Sequence, residues 1–378
     1  NNRGKAKYSL KDVQGAITDF NQAIALKADY EKAIENRGNA HFDLQQWKEA
    51  SADFEVLLKN GRTDTEILQK SGKAYFEVKN YANAISNLTK VVGKGVKEKE
   101  VFTMLGVSQA SLNQCDEAVK SLSAAISLGE TRGDVFYLQG KCLYETKNYA
   151  GTVEALSRAA NAGINNGELY AIRGLAYVQI KNNDLALLDL EKAIAANIKQ
   201  YEIFKQTGDL QFLKADYAKA VERYQQAIAL QATDAIVFNN RGKALVNLKN
   251  TQQAIADFDK AISLKPDYEK AIENRANAYF ELKNYTQAIP DFEKVLQAGR
   301  TDTEILQNLG TAYYETKNYT KASETLNKVV AKGIKSKEVF TMLGLALYQQ
   351  KNYAETSKAL QAAVALGNSS AEVWSPLA

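Results

Sequence analysis

Histidine occurs once, cysteine twice and proline three times in the 378 residues of this chain. Each scarcity removes a class of function. A Ser-His-Asp or Cys-His nucleophile would have to use His41, with no second candidate for the base. One imidazole and two distant cysteines make no four-ligand zinc site. Cys115 and Cys142 cannot build a disulfide framework; they could pair once at most, and are expected to be free, buried thiols that leave the redox compartment open. Three prolines are far below the usual share of about 5%, and helix interiors are where proline is least tolerated, so the chain is expected to be helical throughout. Glycine-rich phosphate loops are missing as well, and no cofactor or metal is expected.

Long apolar runs and charge of one sign are also missing. No stretch approaches 18 uninterrupted apolar residues, so the sequence contains no membrane span, and Asn1 to Lys5 lack the apolar core of a signal peptide. The net charge is only +4, and Lys and Arg alternate with Asp and Glu, which gives no basic stripe and argues against a nucleic-acid partner. Scattered carboxylates read as solvated helix faces, not as an acid–base pair. What is plentiful is apolar surface, 45% of residues against 24% charged, enough to bury a core in a soluble chain. The compartment stays unassigned: the cytoplasm is the default, and a periplasmic or membrane-tethered protein remains compatible.

The chain carries a ruler. Gly4, Gly38, Gly72, Gly106, Gly140, Gly174, Gly208, Gly242, Gly310 and Gly344 are spaced by 34 residues or a multiple of it, and Ala276 fills the one gap. Twelve residues on stands a second small residue, such as Ala50, Ala118 or Ala254, with Thr152 and Thr356 as exceptions. Four further comes a large one, such as Phe54, Leu122 or Phe258. Antiparallel helices approach closely where one offers Gly or Ala to the bulk of the other, so the pattern predicts a helix pair per period. Connectors such as Lys79-Asn80-Tyr81 and Lys317-Asn318-Tyr319 supply an Asn to end one helix or cap the next and a Tyr to pack back onto the pair. His41 stands where sister repeats carry Tyr75 and Tyr279, which makes it a core substitute. Pro290, two residues past Ala288, is expected to kink its helix or to cost it a backbone hydrogen bond.

The 34-residue period, with Gly, Tyr, Ala, Phe and Ala at these offsets, resembles the tetratricopeptide repeat (TPR). Ile305 to Tyr313 is similar to that family's first helix, and Asp257 to Pro266 to its second helix with a closing proline. Other residues replace that proline elsewhere, so the turns between repeats are expected to be softer there. The resemblance covers essentially the whole chain: residues 1–370 as eleven consecutive repeats, the first truncated, and 371–378 as the start of a further helix. It implies an all-α fold, a right-handed α-α superhelix whose first helices line a concave groove, and a non-catalytic scaffold or adaptor that binds proteins or peptides. The alternative is the regulatory or substrate-selecting arm of a larger enzyme, such as a transferase, with its catalytic domain outside this stretch. The array starts and stops within repeats. The apolar end Val373-Trp374-Ser375-Pro376-Leu377 is therefore expected to self-associate end to end or to dock on something.

A longer period overlies the short one. Residues 1–106 recur as 239–344, an offset of seven repeats: Asp29 to Arg37 returns unchanged as Asp267 to Arg275, and Gly61 to Gln69 as Gly299 to Gln307. The first helices have kept more of the shared sequence than the second, which points to two equivalent binding features. In the resembling family, ligand contacts come from set places on the first helix. One residue after the ruler this places Lys5, Asn39, Lys73, Lys141, Lys243 and Asn277; four after it, Tyr8, Phe42, Phe76, Tyr144, Phe280, Tyr314 and Tyr348; Glu273 joins them three before. Aromatic rings beside Lys and Asn would give apolar area at low entropy cost, with donors for peptide carbonyls and carboxylates. A carboxylate clamp is not complete, because Glu273 and Glu304 stand where bases would be needed beside Lys270, Asn274 and Asn277.

Overall fold

A computed structural model describes residues 1–374; the last part of the apolar end, 375–378, lies outside the described residues. The chain divides into two compact units, Asn1–Ile198 and Lys199–Ala378. In each unit helices follow one another in antiparallel pairs at the predicted period, most of them 13 residues long, as in Glu31–Asp43 with Trp47–Lys59 and Glu269–Glu281 with Tyr285–Gln297. Every helix packs on the next one in the chain within its unit. Successive first helices also touch each other directly, from Thr65–Glu77 to Gly167–Gln179 in one unit and from Tyr201–Leu213 to Lys337–Gln349 in the other, which gathers them on one face of each unit. Stacking of this kind is what buries apolar stripes that no single pair could cover.

The ruler glycines meet bulk as the pattern requires. A Cβ on Gly106 would fall 2.6 Å from Leu122 Cδ2 and 3.0 Å from the Leu122 backbone nitrogen. Phe54, Leu122, Phe258 and Phe292, the large partners, are fully buried. Beside the ruler runs a polar device. Five repeats place Arg just before it and Asp 16 residues later: Arg3 with Asp19, Arg37 with Asp53, Arg173 with Asp189, Arg241 with Asp257 and Arg275 with Asp291. Each pair is a two-pronged ion pair across the two helices, for instance 2.7 Å from both Arg275 Nε and Nη2 to the Asp291 carboxylate oxygens. All five aspartates are buried. The third guanidinium nitrogen reaches back 16 residues to the preceding repeat, to Asn21 from Arg37 at 2.7 Å and to Asp259 from Arg275 at 2.6 Å, so one side chain ties three helices. The bond to Asp291 pushes the Arg275 pKa up despite burial, with Asp259 adding to it.

Turns follow two rules. Between the helices of a pair the residue seven past the ruler takes a left-handed conformation, as Lys79 does at φ 59°, and the next residue is the N-cap of the second helix. Asn80 caps that helix by accepting from the Asn83 N–H, and Asn148 and Asn318 do the same at their sites. Between repeats, glycines such as Gly61 (φ 91°) and Gly129 (φ 92°) make the left-handed turn where the closing proline is missing. These turns are closed by paired backbone bonds, Gly61 N–H to Leu58 O and Arg62 N–H to Leu57 O, both 3.1 Å. Tyr285–Gln297 runs as one helix through Pro290. Pro290 has no N–H to give the Thr286 carbonyl. In that first turn Asn284 makes no side-chain cap, and its carbonyl instead accepts the Gln287 N–H three residues on.

Candidate functional site

In each unit the face that gathers the first helices holds clefts. In the first unit a cleft of about 420 Å³ is lined by Lys73 and Phe76 of Thr65–Glu77, by Lys99, Thr103 and Met104 of Lys99–Ser111, and by Glu130, Thr131 and Arg132 of the turn before Gly133–Glu145. In the second unit a cleft of about 280 Å³ lies among Asp209, Phe212, Tyr224, Asn240 and Lys243. Another of about 230 Å³ takes Lys243, Asn247, Phe258, Asn274, Asn277 and Glu281. Of the expected site residues, Lys73 and Phe76 therefore come together in one cleft and Lys243 and Asn277 in another. Lys5, Tyr8, Asn39, Phe42, Lys141, Tyr144, Glu273, Phe280, Tyr314 and Tyr348 line none of these three.

The aromatic residues four past the ruler are mostly half-buried, and their rings pack edge to face against the aromatic that opens the second helix. Phe42 meets Trp47 at 5.1 Å, Phe76 meets Tyr81 at 6.2 Å, Phe280 meets Tyr285 at 5.4 Å and Tyr314 meets Tyr319 at 5.9 Å. The left-handed turn after each first helix brings the start of the second helix over the ring, which leaves one edge toward the groove. Cations stand over the ring faces: Lys70 and Lys73 Nζ are each 5.9 Å from the Phe42 ring centre, and Lys243 Nζ is 5.1 Å from that of Phe212. Tyr348 is the exposed exception, and it too meets Tyr353 at 6.0 Å. The Tyr8 hydroxyl donates to Asp43 of the next repeat, and burial with this acceptor pushes its pKa up to about 12.

Several expected ligand contacts are instead engaged between repeats. Glu273 is gripped by Arg300 (Nη1 to Oε2, 2.5 Å), and its counterpart Glu35 by Arg62 (3.2 Å). Asn39 Oδ1 accepts from Lys70 Nζ at 2.8 Å, and Asn277 Oδ1 from Asn308 Nδ2 at 3.3 Å. Lys141 donates to Glu168 of the next repeat at 2.6 Å. His41 is half-buried, with Nδ1 2.6 Å from Gln46 Oε1.

Five carboxylates line the clefts, Glu77, Glu100, Glu130, Asp209 and Glu281, none of them among the expected site residues, and two stand out by their bonding. Glu130 is buried and accepts from the Thr103 hydroxyl at 3.0 Å and from the backbone N–H groups of Thr131 and Arg132 at 2.9 and 3.1 Å. Burial works against its charge, but the Arg132 N–H and the other donors win and hold its pKa below the ordinary range. Asp209 shows the opposite balance. The Tyr224 hydroxyl and the Asn240 amide donate to its Oδ1 at 2.7 and 3.0 Å, yet burial outweighs them and raises its pKa. The signal for both was a departure from type: Glu130 at a turn position where other repeats carry Pro266, Ile164 or Arg300, and Asp209 where most sisters carry Lys, Asn or an apolar residue. Cys142 is buried as expected, but Cys115 is half-exposed, at the first position of its helix, and the two sulfurs face each other at 2.7 Å.

Among the described residues no group of three or more His, Cys, Asp or Glu is placed to hold a metal ion, and no helix is long and apolar enough to cross a membrane. Family models described as tetratricopeptide repeat match residues 103–167, 235–268 and 279–344, and one described as TPR repeat matches 208–249. No curated protein matches the chain. Among solved structures, YrrB, described as a TPR protein with an unusual peptide-binding site, is 22% identical over 49% of this chain and 95% of its own, with a TM-score of 0.42. MamA from Desulfovibrio magneticus is 20% identical over 44% and 94%, with a TM-score of 0.40. The C-terminal part of a TPR repeat-containing protein from Cytophaga hutchinsonii is 19% identical over 63% and 98%, with a TM-score of 0.44.

Proposed function

We infer, from a chain that belongs to the tetratricopeptide repeat family, that it is a non-catalytic scaffold that holds segments of other proteins along its first-helix face. The family is a protein-interaction fold. What carries the reading for this chain is the chemistry of the clefts in the second unit. Four amides (Asn240, Asn247, Asn274 and Asn277), the Lys243 ammonium and the rings of Phe212 and Phe258 line two clefts that share Lys243. Amides both donate and accept, which suits a peptide backbone, and the half-buried Phe212 ring takes apolar side chains, with Phe258 forming the floor beneath. A polyanion would meet Asp209 and Glu281 on the same surface.

Binding of a fluorescent random-peptide library, followed by anisotropy on its selected members, tests this. In a chain that already carries Asn39→Ala with Lys73→Ala, so that only this surface is read, Lys243→Ala with Asn277→Ala is expected to weaken the selected peptides at least tenfold, about 1.4 kcal/mol, while Lys260→Ala on the exposed side of a second helix leaves them unchanged. Equal binding by the cleft variant and the wild type would place the contact surface elsewhere.

The duplicated blocks favour a further element of this reading, two equivalent sites per chain. Their contacts recur with their sequence: Arg62 on Glu35 and Arg300 on Glu273, Phe42 against both Trp47 and Phe54, Phe280 against both Tyr285 and Phe292. Titration calorimetry with a selected peptide is expected to give two copies per chain. Asn39→Ala with Lys73→Ala removes one, and Asn277→Ala with Thr311→Ala removes the other. A stoichiometry of one, lost with either pair alone, would contradict it.

A further inference from the structure

We propose that Cys115 and Cys142 form a disulfide under oxidising conditions, an intramolecular staple between the second helix of one repeat and the first helix of the next. Three observations carry it. The sulfurs are 2.7 Å apart, inside non-bonded contact and close to the bonding distance of about 2.05 Å. They stand at positions whose residues pack together in sister repeats. Cys115 occupies the place of Trp47, Tyr81, Tyr149 and Tyr285, and Cys142 the place of Ala40, Ala74, Ala244 and Ala346. In sister repeats the aromatic packs into the cluster that holds the next repeat's alanine, Trp47 with Ala74 and Tyr319 with Ala346. At this interface the large residue has shrunk and the small one has grown, both to cysteine, and these are the only two cysteines in the chain.

The third observation is access. Cys115 is half-exposed and Cys142 buried, so an external disulfide meets Cys115 first. The Cys115 thiolate attacks one sulfur of a small-molecule disulfide such as oxidised glutathione and displaces one glutathione thiolate. The Cys142 thiolate then attacks the Cys115 sulfur and displaces the second. One S–S bond breaks and one forms; the protein loses two electrons and two protons, and both reach the two glutathione thiols. Burial, reinforced by the neighbouring Cys115, raises the Cys142 pKa to about 12 in the reduced protein, which keeps Cys142 from being the first to attack. The closed bond would fix the helix Gly133–Glu145, whose preceding turn carries Glu130 and Arg132 into the first cleft.

The full chain, reduced and desalted, is equilibrated with glutathione redox buffers, quenched with acid, denatured and alkylated, then examined by intact mass and non-reducing peptide mapping. The expected result is an unalkylated protein lighter by two hydrogens, with the Cys115 and Cys142 peptides linked, and an equilibrium constant for closure at least tenfold higher in native buffer than in guanidinium. Cys115→Ser and Cys142→Ser each carry one alkylatable or glutathionylated thiol. Two alkylated or two glutathionylated cysteines in the wild type, or closure no more favourable native than denatured, would overturn the proposal.

Discussion

Arginine and aspartate at the ruler behave as one residue written twice. Wherever Arg precedes the ruler, Asp follows 16 residues later, and where one is missing so is the other: Ser71 meets Asn87 at 2.9 Å, and Leu309 stands opposite Thr325. A buried carboxylate without its guanidinium keeps its desolvation cost and loses its compensation. Arg275→Leu alone is therefore expected to lower stability by about 3–5 kcal/mol, and Arg275→Leu with Asp291→Thr, the pair of the next repeat, to recover most of it in urea titrations. A double variant as unstable as the single would show that the pair contributes more than mutual neutralisation. Duplication makes a similar experiment at the ruler itself. Gly38 has become Ala276 in the second block, and a Cβ on Gly38 would sit no closer than 3.1 Å to Asp53 Cβ and Phe54 Cε1. Gly38→Ala is expected to be neutral or to stabilise by up to about 1 kcal/mol through helix propensity. Gly106→Ala, with Leu122 in the way, is expected to cost about 1–3 kcal/mol. Equal melting shifts for the two would mean that close packing at the ruler is not what selects glycine.

The helix pairs were legible because small and large residues recur at fixed offsets, a pattern set by packing alone. The groove was legible only in part. Placing Phe42, Phe76 and Phe280 on the first-helix face needed nothing but the period, but their partners Trp47, Tyr81 and Tyr285 sit beyond a left-handed turn at Gln45, Lys79 and Lys283. Such turns favour Gly or Asn and were taken by Gln and Lys, so the sequence did not advertise how far the ring would be covered. The pairing of Glu273 was hidden for a different reason: its partner Arg300 is 27 residues away in the next turn, a relation fixed only by stacking. The two cysteines have that same separation of 27, and it sets what their closure is worth. A bond closing a loop of this size removes roughly 3–4 kcal/mol of chain entropy from the unfolded state. The oxidised protein is thus expected to need more guanidinium than the reduced one for half-unfolding, a gap absent in Cys142→Ser. Identical curves would show that the unfolding array never opens the loop between them.

Along the whole chain, stability is the sum of repeats and their interfaces, and those interfaces carry much of the ionic chemistry. Lys141 reaches Glu168, Lys321 reaches Glu293 and the Tyr75 hydroxyl reaches Glu55, each joining one repeat to another. Lys141 on Glu168 and Lys321 on Glu293 outweigh burial and hold each pKa below the ordinary range, as Lys59 and then the Tyr75 hydroxyl do for Glu55; Arg3 holds Asp19 at about 2, and Arg62 lowers Asp64. A carboxylate whose pKa is lower folded than unfolded contributes stability above the unfolded value near 4 and loses it as pH falls through the folded one. Asp209 has the opposite sign, raised by burial, so its contribution is present in acid and fades as pH rises through its folded value. One group against these five, with Glu130 a sixth of the same sign, does not reverse the slope. At the alkaline end, burial raises the pKa of Tyr8 to about 12 and those of Tyr75, Tyr137 and Tyr224 in the same direction, and each favours the fold until pH passes from the unfolded value near 10 through the folded one. The urea midpoint of the full chain is therefore expected to be level between about pH 5 and pH 9, to fall between about pH 4 and pH 2, and to fall again above about pH 10. Because the acid arm rests on carboxylates paired with cations, replacing Glu168 and Glu293 with Gln should lower the plateau and flatten that arm. A midpoint unchanged down to pH 2.5 would mean that the repeats are held by their apolar interfaces alone and that the ion pairs only decorate them.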